Sequence, residues 1–243
     1  GGFASDLGAE KFFDIVAPQF GLKPDAVVLV ISIRALKSHG GVDLAHLDQE
    51  NPEAVRRGLG NLEKHLFNLR EVFHLPVVVA INKFPTDYDQ ELEVVFEYCK
   101  ARQVPVELSE VVAKGGEGGT RLAQRVLATI AQVENNFRPL YQKELSLREK
   151  IGLLATKIYG ADGVSYTKEA IKALEQIETL GFGRLPVCMA KTQMSLSDNP
   201  KLKGAPTGWI LTVRDLKLSA GAGFVVALAG NILTMPGLPK NPA

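Results

Sequence analysis

Hydrophobic residues in the first third of the chain form two apolar runs separated by one long periodic segment. The runs, at residues 25–33 and 76–81, are rich in β-branched residues and show no polar alternation, which is typical of strands buried on both faces of a parallel sheet. Between them, Asn51 followed by Pro52 is a favourable helix start. Apolar residues then recur at helical spacing, at positions 55, 59, 62, 66, 69 and 73. Strand, long helix and strand predict a βαβ unit.

The same alternation continues to residue 138. Asp89 is predicted to cap a helix whose apolar face carries Leu92, Val95, Phe96 and Cys99, and residues 104–108 follow as a short strand. A glycine-rich segment at 114–119 leads into a helix with Leu122, Val126, Ile130 and Val133 on one side. Residues 1–138 therefore predict an α/β fold, part of a doubly wound parallel sheet.

The pattern changes after residue 138. A helix is predicted near 143–158, and a second helix is predicted to start at Thr167 and end at Gly181. Short strands are predicted at 186–190, 209–213 and 224–229. Residues 139–243 are therefore interpreted as a smaller α+β domain.

Composition and charge exclude several classes of protein. The chain has 28 Lys+Arg and 27 Asp+Glu, so it has no basic field for nucleic acid. Its apolar runs are far shorter than the ~20 residues that span a bilayer. Two distant cysteines and the lack of a signal-like N-terminal segment favour a cytoplasmic protein. The first methionine is Met189, which leads us to expect a fragment of a longer chain.

Three segments that follow predicted strands are candidates for binding chemistry, because ligands of open α/β sheets bind at the carboxyl ends of strands. Asn82-Lys83-Phe84-Pro85 is similar to the base-reading loop of P-loop GTPases, but Pro85 stands where that loop needs Asp, so guanine binding is not supported. Each segment also has a simpler interpretation: an ordinary turn at 82–85, a flexible connector at 114–119, and a solvated loop at 34–41, which carries Arg34, Lys37 and His39.

The remaining reactive residue types do not form a recognisable constellation. Cys99 and Cys188 are interpreted as packing residues, and His46, His65 and His74 lack metal-ligand spacing. No GxxxxGK[ST] motif occurs in the chain. From the residues alone, the chain is interpreted as an anion- or nucleotide-handling α/β protein without a predicted metal site.

Seven segments, taken in order, resemble the formate–tetrahydrofolate ligase family. They are GFASDLGAEKF (2–12), RALK with HGG (34–41), NKFPTD (82–87), AKGGEGG (113–119), LPVCMAKTQ (185–193), SAGAGF (219–224) and TMPGLP (234–239). The resemblance implies a P-loop-NTPase-like α/β domain followed by smaller domains. It also implies ATP-dependent joining of formate to tetrahydrofolate through formyl phosphate, with 10-formyltetrahydrofolate, ADP and phosphate as products.

The resemblance further implies a cytoplasmic homotetramer that uses Mg²⁺-ATP and is activated by a monovalent cation. It assigns Phe84 to one wall of the pterin site and Val112 to the other, where the family usually has tryptophan. Asn82, Lys83 and Pro85 would shape the pocket edge. Residues of the 114–119 segment, Lys114, Gly115 and Gly116 among them, would close over the ligand, and Arg34, Lys37 and His39 would face its anionic side.

Two departures from the family qualify this expectation. The family's phosphate-binding P-loop would lie upstream of Gly1, so the 243 residues alone are expected to be inactive. Val112 in place of an aromatic wall is expected to weaken folate binding about tenfold at most. The alternative is a non-catalytic folate-binding or assembly segment of a split or degenerate ligase.

Overall fold

The computed structural model describes residues 4–230 and residue 232, and contains two sheets. The first sheet has three parallel strands, β1 (Val27–Ile31), β2 (Val77–Asn82) and β3 (Val106–Ser109), in the order β1-β2-β3. β2 is fully enclosed from Val77 to Ile81, as its unbroken apolar sequence predicts. The α/β class and the parallel arrangement are confirmed. Gly2, Phe3 and the TMPGLP segment lie outside the described residues.

Helices surround the first sheet. The N-terminal helical segment consists of π-helical turns at Ser5–Ala9 and Phe12–Val16 and of α1 (Ala17–Phe20). The next helices are α2 (Ile33–His39), α3 (Pro52–Phe67), which continues as π-helix over Asn68–Val72, and α4 (Asp89–Ala101). After β3 come α5 (Val111–Lys114), a 3₁₀ segment at Gly115–Gly119, and α6 (Thr120–Gln132). A short 3₁₀ turn at Leu44–His46 lies between α2 and α3.

The structure confirms some of the helix features predicted from the sequence and corrects others. Asn51 caps α3, since its Oδ1 accepts from the amide of Ala54 at 2.9 Å. The prediction that Asp89 caps α4 is wrong: Asp89 is the first helical residue, and the N-cap amide belongs to Tyr88, which donates to Glu91 Oε2 at 3.3 Å. Ile130 is 41% exposed, so the predicted apolar face of α6 is only partly covered.

The second sheet has four strands, in the order β4-β6-β7-β5. They are β4 (Gly163–Tyr166), β5 (Val187–Ala190), β6 (Ile210–Ser219) and β7 (Phe224–Ala229). β6 and β7 are antiparallel, and the other two pairs are parallel. The helices here are α7 (Leu147–Leu153), continued as π-helix over Leu154–Tyr159, and α8 (Lys168–Thr179), with a 3₁₀ turn at Ala220–Ala222. β4 was not predicted, because Gly163 and Ser165 interrupt its apolar pattern.

One hydrophobic core joins the two sheets. Phe13 packs against both Phe73 and Phe137, with ring centroids 4.8 and 5.6 Å apart. Asn68 donates to the carbonyl of Ile158 at 2.9 Å and ties the end of the α3 segment to the helix before β4. The division into domains at residue 138 stays a prediction. No helix within residues 4–230 is long and apolar enough to cross a membrane.

Two glycines set the spacing between α2 and α3. A Cβ at Gly40 would lie 1.9 Å from the carbonyl oxygen of Ala54, and a Cβ at Gly58 would lie 2.0 Å from that of Leu36. Side chains at either position would push the helices apart. The close approach therefore holds α2, which begins directly after β1, against α3.

Candidate functional site

The segment after β2 folds into a tight turn that orients Phe84. The amide of Phe84 donates to Asp87 Oδ2 at 2.8 Å, and the amide of Asp87 donates back to the carbonyl of Phe84 at 3.0 Å. This reciprocal pair fixes the backbone around a half-buried aromatic ring, and Pro85 is exposed beside it. The turn therefore presents an aromatic side chain at the carboxyl edge of the sheet.

The segment after β3 lies directly beside this turn. Asn82 and Ser109 are register partners, and the amide of Lys83 donates to the carbonyl of Ser109 at 3.0 Å. The amide of Glu110 then donates to the carbonyl of Gly118 at 3.1 Å, which closes residues 110–118 into a compact loop. A Cβ at Gly118 would lie 2.5 Å from the carbonyl oxygen of Glu110, so this closure needs glycine. We call residues 82–87 and 110–119 the paired loops.

The glycine-rich half of the paired loops is exposed. Lys114, Gly115 and Gly116 are all accessible, and Val112 is 74% exposed. Lys114 Nζ lies 2.9 Å from Glu110 Oε2, and this hydrogen bond lowers the pKa of Glu110. The structure thus brings Asn82, Lys83, Phe84 and Pro85 into the same region as the segment that carries Val112 and Lys114.

Arg34, Lys37 and His39, which were expected to face the anionic side of the ligand, lie in three different environments. The segment at 34–41 is mostly helix α2 instead of a solvated loop, because Ser32 Oγ accepts from the amide of Ala35 and caps it. Arg34 forms an ion pair with Asp48. Lys37 is fully buried and lies 2.8 Å from Glu91 Oε1, so its ammonium group is engaged inside the protein.

His39 is half-buried and neutral at physiological pH. Its Nδ1 accepts from the amide of Gly204 at 3.1 Å, and burial together with nearby Lys203 lowers its pKa to about 4. His39 and His65 line the same cleft along the open edge of β1, which has a volume of about 410 Å³. In this cleft Ser5 Oγ lies 2.7 Å from His65 Nδ1, and Asp6 pairs with Lys191 at 2.9 Å. The spacing of these residues along the sequence did not predict that they would lie in one cleft.

Glu91 is the residue that sequence reasoning missed. Its Oε1 contacts Lys37 and accepts from the amide of Asn51 at 2.8 Å, so one carboxylate ties α2, α3 and α4 together. A Glu at the third position of a helix after a turn was the available signal. Asp87 lies nearby, and burial raises its pKa; Glu91 adds to this effect, whereas Lys37 and Arg34 oppose it.

Two further side chains that carry a reactive or hydrogen-bonding group, Cys99 and Trp209, have structural roles. Cys99 is completely buried in the core, as predicted, and burial raises the pKa of its thiol to about 11. Trp209 is buried and donates to the carbonyl of Pro206 at 3.1 Å. Among residues 4–230, no group of three or more His, Cys, Asp and Glu side chains could hold a metal ion.

These features define a class: an α/β protein whose parallel strands end in adjacent loops that carry an aromatic and polar groups, the usual position of ligand sites in open sheets. The family is settled by comparison. The model of the formate–tetrahydrofolate ligase family matches residues 1–243, so the chain belongs to this family, and the resemblance found in its sequence is confirmed. The family is one of ligases that use tetrahydrofolate and ATP in one-carbon metabolism.

Proposed function

We propose that the paired loops bind the pterin ring of tetrahydrofolate, with Phe84 as one wall. The main support for this proposal is the pair of hydrogen bonds between Phe84 and Asp87, which fixes the backbone of Phe84. This turn lies beside the loop that is closed by the hydrogen bond between Glu110 and Gly118. An aromatic side chain held by fixed backbone loses little conformational freedom when a flat ring stacks on it. Asn82, Lys83 and Pro85 shape the edge of this site, and Lys114, Gly115 and Gly116 close over it.

Val112 is proposed as the opposite wall. It lies on the loop adjacent to Phe84 and is exposed, so a bound ring would cover it. An aliphatic wall contributes apolar area without the aromatic stacking energy of ~0.5–1.5 kcal/mol. The proposed site therefore binds tetrahydrofolate more weakly than a site with two aromatic walls.

The proposed reaction is the ATP-dependent ligation of formate to tetrahydrofolate through formyl phosphate. The chain's own part is to hold and orient the folate, while groups outside these 243 residues supply the phosphate chemistry, because the chain contains no GxxxxGK[ST] motif. β1 is an outer strand of the three-stranded sheet, and Val28 and Val30, which share one face of it, are 40% and 63% exposed. The unpaired strand and the uncovered face support a P-loop-like sheet that continues beyond β1. Mg²⁺, an activating monovalent cation, a homotetramer and a cytoplasmic location belong to the same proposal.

The alternative from a different class is a folate-binding or assembly segment without catalysis. The ligase and the folate-binding segment both need folate binding at the paired loops, whereas an assembly segment does not. Only the ligase needs turnover when the missing phosphate-handling groups are present.

The test is anaerobic calorimetric titration of the chain with tetrahydrofolate. Phe84→Ala should weaken binding about tenfold, since it removes the stacking surface. Phe20→Ala is the matched control, because Phe20 is an exposed phenylalanine at the end of α1 and is not part of the paired loops. Equal affinities for wild type and Phe84→Ala would contradict the proposed site.

A further inference from the structure

A cavity of about 340 Å³ lies between the N-terminal helical segment and the second sheet. Its lining includes apolar side chains from Ile15, Pro18 and Pro186 and three basic residues, Lys143, Lys150 and Arg184. The function proposed above does not use these residues.

The inner wall of this cavity holds a buried ammonium group. Lys150 is completely buried, and its Nζ donates to the carbonyls of Lys143 at 2.9 Å, Arg184 at 2.6 Å and Leu185 at 3.3 Å. These bonds satisfy its protons, but Lys150 forms no ion pair within the described residues. Burial lowers its pKa, as expected for a charge without a counterion.

Two further cationic side chains, those of Arg184 and Lys143, lie at the mouth of the cavity. Arg184 is exposed, and its guanidinium makes no hydrogen bond or ion pair in the part of the chain that the structure describes. The Lys143 side chain is 92% exposed, and its ammonium lies 4.0 Å from Glu144, the limit of an ion pair. The backbone carbonyls of Arg184 and Lys143 both accept hydrogen bonds from Lys150 Nζ. The backbone at the mouth of the cavity is therefore held directly by the lysine of its inner wall.

Acidic side chains limit the negative charge of a ligand that the cavity can bind. Asp14 lines the cavity, its Oδ1 accepts from the amide of Leu140 at 2.7 Å, and it faces the buried Glu10. Burial raises the pKa of Asp14 to about 7, so it carries a partial negative charge near neutral pH. Arg184, Lys143 and Lys150 are opposed by Asp14 and by Glu144 beside Lys143, so the positive charge exceeds the negative charge only slightly, which suits a singly charged anion.

We propose that this cavity binds small organic monocarboxylates. The carboxylate pairs with Arg184 and Lys143, and a short aliphatic chain lies against Ile15, Pro18 and Pro186. A guanidinium fork matches a carboxylate in a bidentate geometry, and the apolar wall favours a ligand with a few methylene groups over an inorganic anion.

The proposal is tested by titrating the 243-residue chain with butyrate, formate and phosphate and recording amide NMR shifts. Butyrate should give saturable shifts at Arg184 and Gly223, with an affinity at least tenfold above those of formate and phosphate. Arg184→Gln should weaken butyrate binding at least fivefold. Because the Arg184 guanidinium makes no hydrogen bond or ion pair within the described residues, this variant should fold normally.

Arg138→Gln is the matched control, since Arg138 is exposed and does not line the cavity. Its butyrate affinity should equal that of the wild type. Three results would overturn the proposal: shifts that do not saturate, formate or phosphate binding as tightly as butyrate, or Arg184→Gln binding butyrate like the control.

Discussion

The buried ion pair between Lys37 and Glu91 offers a quantitative test of how the candidate site is positioned. Both side chains are 0% exposed, and the charged atoms lie 2.8 Å apart. Lys37 Nζ also donates to the carbonyl of Gln49 at 3.0 Å, and Glu91 accepts from the amides of Asn51 and Tyr88. Glu91→Gln removes the negative charge and keeps one acceptor oxygen, so the variant measures the loss of the ion pair together with the loss of one of these two hydrogen bonds.

The expected loss of stability is large. Breaking a buried pair by neutralising one partner costs about 3–5 kcal/mol, because the remaining charge stays buried without compensation. At ~2–4 °C per kcal/mol for a chain of this size, the midpoint of thermal unfolding should fall by roughly 6–20 °C. The double variant Lys37→Met/Glu91→Gln removes the unpaired charge and should recover much of the loss.

Urea denaturation followed by circular dichroism gives the free energy of unfolding of each variant. Glu93→Gln is the matched control, because Glu93 is an exposed glutamate on the same helix, and its free energy should stay within about 0.5 kcal/mol of wild type. The reasoning is refuted if Glu91→Gln is as stable as this control, or if the double variant is no more stable than the single one.

Three further predictions concern folate binding, pH dependence and catalysis. Val112→Trp should tighten tetrahydrofolate binding about twofold to tenfold by adding an aromatic wall, and calorimetric titration showing unchanged or weaker binding would count against Val112 as that wall. Because folding raises the pKa of Asp14 from 3.8 to about 7, the folded state holds a proton that the unfolded chain releases, and this contribution to stability is lost as pH rises from about 4 to 7. Asp14→Asn should flatten that decline in unfolding free energy measured across this pH window, and an unaltered slope would contradict the assignment. The chain alone should show no ADP formation dependent on formate and tetrahydrofolate, so turnover in a coupled ATPase assay would disprove the need for an added P-loop.

Local sequence pattern was sufficient for the elements whose residues all favour one structure. β2 and α3 were predictable because an unbroken apolar run and a capped periodic segment each have one stable arrangement. β4 could not be found in this way, since its four residues gain their stability from pairing with β6, which lies far along the chain.

The position of the candidate site was predictable for a similar reason. Parallel strands place their carboxyl ends at one edge, so Phe84 and the segment at 114–119 were expected at the same edge of the sheet. That they are neighbours depends on the pairing of β2 with β3, which the structure shows. The burial of Lys37 could not be predicted, because its partner Glu91 belongs to another helix and nothing near Lys37 in sequence indicates it. The cleft shared by His39 and His65 likewise depends on tertiary packing.

The proposed role of the paired loops is tested most directly by amide NMR of the isotopically labelled chain titrated anaerobically with tetrahydrofolate. The account predicts saturable shifts concentrated at residues 82–87 and 110–119, together with contacts between pterin protons and the Phe84 ring that disappear in Phe84→Ala. Saturable shifts centred on other residues, with the paired loops unchanged, would contradict it.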